Sequence, residues 1–148
     1  MAIEQKIAKV KKLYADLGLH NIDALNEIYT DDIVFVDPVN RIEGRDKLLA
    51  HFRESYADVI ACRFYFNSRR EIISTDNALL VWKMDLRHKK LGGGKPIEVQ
   101  GSSLLELTNR GIHYHRDWFD IGEMVYEHVP VLGGLVKMVK TRLKAGGS

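Results

Sequence analysis

Four long β-rich runs follow one another through the second half of the chain, at about 62–74, 78–90, 96–108 and 112–121. The turns between them fall at Thr75-Asp76-Asn77, Gly92-Gly93-Gly94 and Asn109-Arg110-Gly111, residue types suited to tight reversal. Three helical segments precede them. Ile3, Ile7, Val10, Tyr14 and Leu17 recur at helical spacing with Lys6, Lys9 and Lys12 between, which predicts an amphipathic first helix that stops at Gly18. Asn21 is the candidate cap of a short second helix carrying Ala24, Leu25, Ile28 and Tyr29. A third is expected from Gly44 through Leu48, Leu49 and Phe52 to about Val59. Between the last two, Ile33-Val34-Phe35-Val36 reads as a short strand. Asp37-Pro38 ends it, because proline cannot continue a ladder and holds the residue before it extended. Helices followed by hairpin-linked strands imply an α+β domain, an antiparallel sheet with helices on one face.

At 148 residues the chain has room for one core and no second domain. A formal net charge of +2 is too small to mark a nucleic-acid binder, and no such partner is expected. The single cysteine, Cys62, excludes an internal disulfide and suits a reducing compartment. Met1-Ala2-Ile3-Glu4-Gln5-Lys6 carries charges where a secretory signal would be apolar, and no apolar run approaches a bilayer span. The expectation is a soluble, cytoplasmic protein. No phosphate loop, dinucleotide fingerprint or nucleophile elbow is present, so no cofactor is expected.

The domain is expected over 1–128, with 129–148 a basic amphipathic tail. Val131, Leu132, Leu135, Val136, Val139 and Leu143 mark one face of that tail, opposed by Lys137, Lys140, Arg142 and Lys144. Such a helix either packs on the domain or on a second subunit, or lies at a membrane surface or over a lipid-like ligand.

Three patterns carry a family resemblance. Tyr29-Thr30-Asp31-Asp32-Ile33-Val34-Phe35-Val36-Asp37-Pro38-Val39 with Gly44-Arg45 is similar to the helix–strand entry of ketosteroid isomerases. Gly111-Ile112-His113-Tyr114-His115-Arg116-Asp117-Trp118-Phe119-Asp120 resembles the last strand of SnoaL-like proteins and of limonene-epoxide hydrolase. Trp82-Lys83-Met84-Asp85 stands where that hydrolase has Arg-x-Asp. Over roughly residues 5–125 the chain resembles the nuclear-transport-factor-2-like, SnoaL-like superfamily. The resemblance implies a cystatin-like, cone-shaped α+β barrel, three helices packed on a strongly curved antiparallel sheet around an apolar pocket.

The resemblance also implies a site. Asp37 aligns with the isomerase base, and the matching oxyanion-donor positions hold Leu13, beside Tyr14, and Ser103. The residue-level alternative for Asp37 is an Asx turn before proline. Asp85 and Asp117, with Lys83 in place of the bridging arginine, correspond to the hydrolase acids. The alternative for Lys83, Asp85 and Arg87 is a solvated strand face. His113 and His115 share a strand face with Asp117 by spacing, and His115 is placed to tune that acid. A His-x-His pair can bind a metal, but no third ligand is evident and none is expected.

The expected catalytic set is therefore Asp37, Asp85, Asp117, Lys83 and His115, with Tyr14, Phe35, Phe52, Ser103 and Phe119 as ligand contacts. The family register puts the charged face of the Lys83 strand inside the cone. Leu80, Trp82, Met84 and Leu86 would then lie outside, and a homodimer through the outer sheet face would cover them. The functional expectation is cofactor-free isomerisation, cyclisation or hydration of a hydrophobic, oxygenated small molecule. The alternative is a non-catalytic carrier of a lipid-like or polyketide-like ligand, with peripheral membrane contact through its tail.

Overall fold

The computed structural model describes residues 2–124 and 137–144. Helix α1 (Ile3–Ala15) buries Ile7, Val10 and Tyr14, the predicted apolar stripe. It ends at Ala15, three residues before Gly18, with Asp16 as its C-cap. Asn21 closes this end and does not cap the next helix with its side chain. Its Oδ1 accepts from the Gly18 N–H at 2.8 Å and its Nδ2 donates to the Asp16 carbonyl at 2.9 Å. The second helix is a 3-10 helix, Ile22–Glu27, and α2 spans Arg45–Tyr56 after Gly44.

The strands are β1 (Tyr29–Val36), β2 (Arg41–Glu43), β3 (Val59–Phe66), β4 (Ile72–Ile73), β5 (Asn77–His88), β6 (Ile97–Thr108) and β7 (Gly111–Phe119). The run expected over 62–74 is thus two strands, broken where Arg70 N–H bonds back to the Asn67 carbonyl at 3.1 Å. Their order in the sheet is β2-β1-β7-β6-β5-β3, with β4 on β5.

Two expectations about the sheet change. It is mixed, because β1 pairs β7 in parallel while the other neighbours run antiparallel. The hairpin turns fix strand direction only from β5 onward, and nothing local ties β1 to β7, which lies far along the chain. The sheet is also open, with β2 and β3 as its edges, so the barrel does not close.

The register of β5 decides which face is inside. Ala78, Leu80, Trp82, Met84 and Leu86 are buried, whereas Lys83 and Asp85 are half-buried and Arg87 exposed. The apolar row faces inward, Leu80 in one cluster with Val10 and Tyr14 of α1 and Trp82, Met84 and Leu86 in a second with Phe64, Phe66 and Phe119, and the charged row faces out. This reverses the orientation drawn from the family register. Burying a lysine and an aspartate costs far more than burying a tryptophan row against other apolar side chains. The case for a dimer based on an uncovered Trp82 face falls with it.

Cation-rich residues 137–144 are helical and exposed, Val139 and Leu143 included. Lys140 Nζ reaches Asp120 Oδ2 at 2.7 Å. The boundary near 128, and Val131, Leu132, Leu135 and Val136, lie outside the described residues. Among the described residues no helix is long and apolar enough to cross a membrane.

Candidate functional site

Five elements deliver polar side chains to one line through the core. On β7, His115 and Asp117 are two apart and share the inner face. Cross-strand pairing sets Ser103 of β6 opposite Asp117, and Phe35 of β1 opposite His115. Tyr14 comes from the last turn of α1, and Tyr29 begins β1, its carbonyl held by Arg45 Nη1 at 3.0 Å. Trp82 of β5 reaches across β6 because residue 101 is glycine. A Cβ there would collide with the indole ring and lie 2.6 Å from the Trp118 carbonyl.

These groups form one continuous hydrogen-bond chain. Tyr14 and Tyr29 share a short phenol–phenol bond, and Tyr29 Oη is 2.7 Å from His115 Nδ1. His115 Nε2 lies 2.7 Å from Asp117 Oδ1, which also accepts from the Ser103 hydroxyl. Trp82 Nε1 donates to Ser103 Oγ at 2.8 Å.

Its direction follows from the donor inventory. An ionised carboxylate only accepts and an indole only donates. A neutral His115 therefore carries its proton on Nε2, leaves Nδ1 to accept from Tyr29, and Tyr29 accepts from Tyr14. Every bond points toward Asp117 Oδ1. Burial holds the phenols of Tyr14 and Tyr29 well above the usual tyrosine range, with the Asp117 charge adding to it, so both stay protonated donors. Asp117 Oδ2 accepts no hydrogen bond among the described residues.

Beside Asp117 is a cavity of about 20 Å³, walled by Val10, Phe64, Phe66, Leu80 and Leu105, room for about one water molecule. Phe35 and Phe52 close the next layer, Phe35 lying edge-on to His115 at 4.8 Å and to Phe52 at 5.6 Å. Phe119 flanks the Trp82 ring at 6.3 Å. Tyr56 donates weakly to the Cys62 thiol at 3.9 Å, and burial pushes that thiol up to about 11. Such a thiol is protonated at neutral pH and is a poor nucleophile.

Of the residues singled out from sequence, Asp117, His115, Ser103, Tyr14, Phe35, Phe52 and Phe119 gather here. Asp37 does not. Its Oδ1 accepts from the Val39 and Asn40 N–H groups at 2.8 and 2.7 Å, the Asx-turn alternative. Lys83 and Asp85 pair at 3.8 Å on the outer face, each side chain over 40% exposed. His113 is a bulge residue, since Leu107 pairs with Ile112 and Glu106 with Tyr114; it is separated from the His115 line. Among the described residues no three His, Cys, Asp or Glu side chains gather as metal ligands. Tyr29 and Trp82 escaped the sequence reading. Helical spacing places Tyr29 among apolar residues, whereas it opens β1, and the family register places Trp82 outside, whereas it is buried.

No curated protein sequence matches the chain. Solved structures match its fold at low identity. A nuclear-transport-factor-2-like protein of unknown function from Burkholderia pseudomallei is similar with TM-score 0.70 at 13% identity, over 82% of this chain and 92% of that one. A SnoaL-like polyketide cyclase from Jannaschia sp. is similar with TM-score 0.66 at 16% identity, over 80% and 87% of the two chains. An LEH-like epoxide hydrolase from M. tuberculosis is similar with TM-score 0.67 at 20% identity, over 93% and 97%. The sequence pattern of the SnoaL-like domain matches residues 10–115, a stretch that includes Tyr14, Tyr29, Trp82, Ser103 and His115. The chain belongs to the SnoaL-like family.

Proposed function

We propose that this protein is a cofactor-free acid–base catalyst acting on a hydrophobic, oxygenated small molecule, with Asp117 as the proton-transferring group. The observation that carries the reading is the one-way chain of buried donors ending on Asp117 Oδ1, where Asp117 lines a cavity and Oδ2 accepts no hydrogen bond from a described residue. A carboxylate fixed on one oxygen presents the other at a set position, which is what proton transfer needs. Oδ2 removes a proton α to a carbonyl and returns it elsewhere in an isomerisation or cyclisation. In the hydration of an epoxide it takes the proton of the attacking water as the ring C–O bond breaks, and the proton then passes to the oxygen released from the ring. His115 orients the carboxylate, and Tyr29 with Tyr14 fixes the imidazole tautomer. The polyketide cyclase and epoxide hydrolase among the similar structures support this class of chemistry. The unpaired Cys62 supports a reducing, cytoplasmic location.

The test is α-deuterium exchange into a hydrophobic cyclic ketone and hydration of a terpene epoxide in 18O water, with wild-type protein and with Asp117→Asn. Loss of about 10²–10⁴-fold in the reaction the wild type performs is expected. A variant as active as the wild type removes Asp117 from the chemistry.

A second reading is a carrier of a lipid-like or polyketide-like ligand. Its support is the aromatic wall of Phe64, Phe66 and Trp82 around the cavity, with Phe35 and Phe52 in the layer behind His115. The exposed Val139 and Leu143 beside Lys137, Arg142 and Lys144 add peripheral membrane contact to it. A ligand that co-purifies in native mass spectrometry and is not converted on incubation would favour the carrier. Removing residues 131–148 then lowers binding to anionic vesicles at low salt; unchanged binding ends the membrane part.

A further inference from the structure

A second concavity, of about 310 Å³, opens among the first half of α1, the end of the 3-10 helix and the β6–β7 turn. Its volume falls in the range of small-ligand sites and far exceeds the space beside Asp117. The floor is apolar and well packed, since Val10, Ile28, Leu107 and Ile112 are each less than a tenth exposed. Gly111 shapes the back wall. Its φ of 137° and the approach of its Cα to Ile28, where a Cβ would stand 2.7 Å from the carbonyl oxygen, bring β7 hard against the 3-10 helix end.

The rim is cationic. Lys6, Lys9 and Arg110 line it against one acid, Glu27. Glu27 is matched by Lys9 at 3.1 Å, which leaves Lys6 and Arg110 without an ion-pair partner among the described residues lining the cleft. Lys6 Nζ spends one of its donors on the Thr108 carbonyl at 3.1 Å and so is steadied at the rim with donors to spare. The Arg110 guanidinium makes no hydrogen bond or ion pair with another described residue, although Asp32 lies within electrostatic reach.

We propose that this cleft binds an aliphatic monocarboxylate, the carboxylate between Lys6 and Arg110 and the alkyl chain on Val10, Ile28 and Leu107. The guanidinium fork matches a carboxylate. An anion without an apolar body would leave the floor uncovered, and an apolar molecule without charge would leave the two cations unused. The inference goes beyond the proposed acid–base site. Val10 is the wall between the two spaces, and neither reading depends on the other.

The experiment titrates butanoate, hexanoate and octanoate into the isotope-labelled full chain and follows the backbone amides of Val10, Asn109, Gly111 and Ile112. Saturable shifts in the millimolar range are expected for ligands of this size. Affinity should tighten about fourfold per added methylene until the floor is covered, and weaken with added salt. Arg110→Gln should weaken hexanoate about tenfold, and Glu27→Gln should tighten it by freeing Lys9. Both residues are exposed, so folding is not at stake. Hexanamide should bind more weakly than hexanoate. No saturable shift with any of the three acids overturns the proposal, as do shifts confined to His115 and Asp117. Indifference to both substitutions overturns it too. Inorganic phosphate binding as tightly as hexanoate would reduce the cleft to a plain anion site and overturn the amphipathic claim.

Discussion

Among the described residues Asp117 accepts hydrogen bonds from Ser103 and His115, both on the same oxygen. Asp117→Asn with its amide oxygen in that place keeps both donors and loses only charge and basicity. Its thermal midpoint is therefore expected to stay near the wild-type value while turnover falls, a split that a purely structural aspartate would not show. Tyr29 is the opposite case, because it both donates to His115 and accepts from Tyr14. Tyr29→Phe strands a phenol and an imidazole nitrogen inside the core. A loss of about 1–3 kcal/mol in urea unfolding follows, with strong non-additivity against Tyr14→Phe. Burial also sets an alkaline limit. The phenols of Tyr14, Tyr29 and Tyr56 titrate well above the ordinary 10, and the Cys62 thiol about 11 against an ordinary 9. The unfolded chain releases these protons first, so the folded state binds more protons over that window and stability falls as pH rises. Unfolding free energy should decline from about pH 9 upward, and Cys62→Ala should remove the part that sets in near 9, leaving the phenol part that sets in near 10. A flat profile across that range would contradict the burial of all four groups.

At the scale of elements, β5, β6 and β7 act as one plate whose register aligns the site. The Trp82 ring lies over Gly101, and that overlap lets its indole N–H reach Ser103 two residues on. Gly101→Val places branched carbon between the ring and the Trp118 carbonyl. It should cost about 1–3 kcal/mol by overpacking and shift the Trp82 fluorescence, since the ring must leave Ser103. A stable variant with unaltered emission would show that β6 tolerates a side chain there. Helix α1 supplies the other wall, positioned by its buried stripe and by the Lys11–Glu71 ion pair to the segment before β4. Its two halves serve different spaces, Tyr14 the hydrogen-bond chain and Lys6 and Lys9 the cationic cleft.

For the whole molecule, the outward sheet face is the surface to test for self-association. Tyr65 and Trp118 are 47% and 42% exposed there, each carrying a cation over its ring, Lys83 at 4.9 Å and Arg116 at 5.0 Å. Asp85 and Glu98 stand nearby. We expect a second copy to pair on this face, aromatic centre to aromatic centre with the charges alternating around it. Sedimentation should give a dimer at micromolar concentration that Trp118→Asp dissociates. A monomer throughout would leave this face to solvent.

The element sequence was open to reading because it rests on local rules: the 3.6-residue stripe of α1, the turn residues before β5 and β7, the Asp37-Pro38 stop after β1. The family patterns around Tyr29 and His115 were equally legible, and spacing alone put His115 and Asp117 on one face. Three things were decided only when the chain closed on itself. Which side of β5 turns inward depended on α1 packing over Leu80 and on Phe64, Phe66 and Phe119 packing round Trp82, because alternation is symmetric until something packs on one face. The direction of β1 against β7 depended on a pairing between strands far apart in the chain, on which no turn has a hold. The chain of donors from Tyr14 to Trp82 depended on five elements meeting, so its members carry no common spacing, and Asp37 and Asp85, better motifs on paper, were left to a turn and to water.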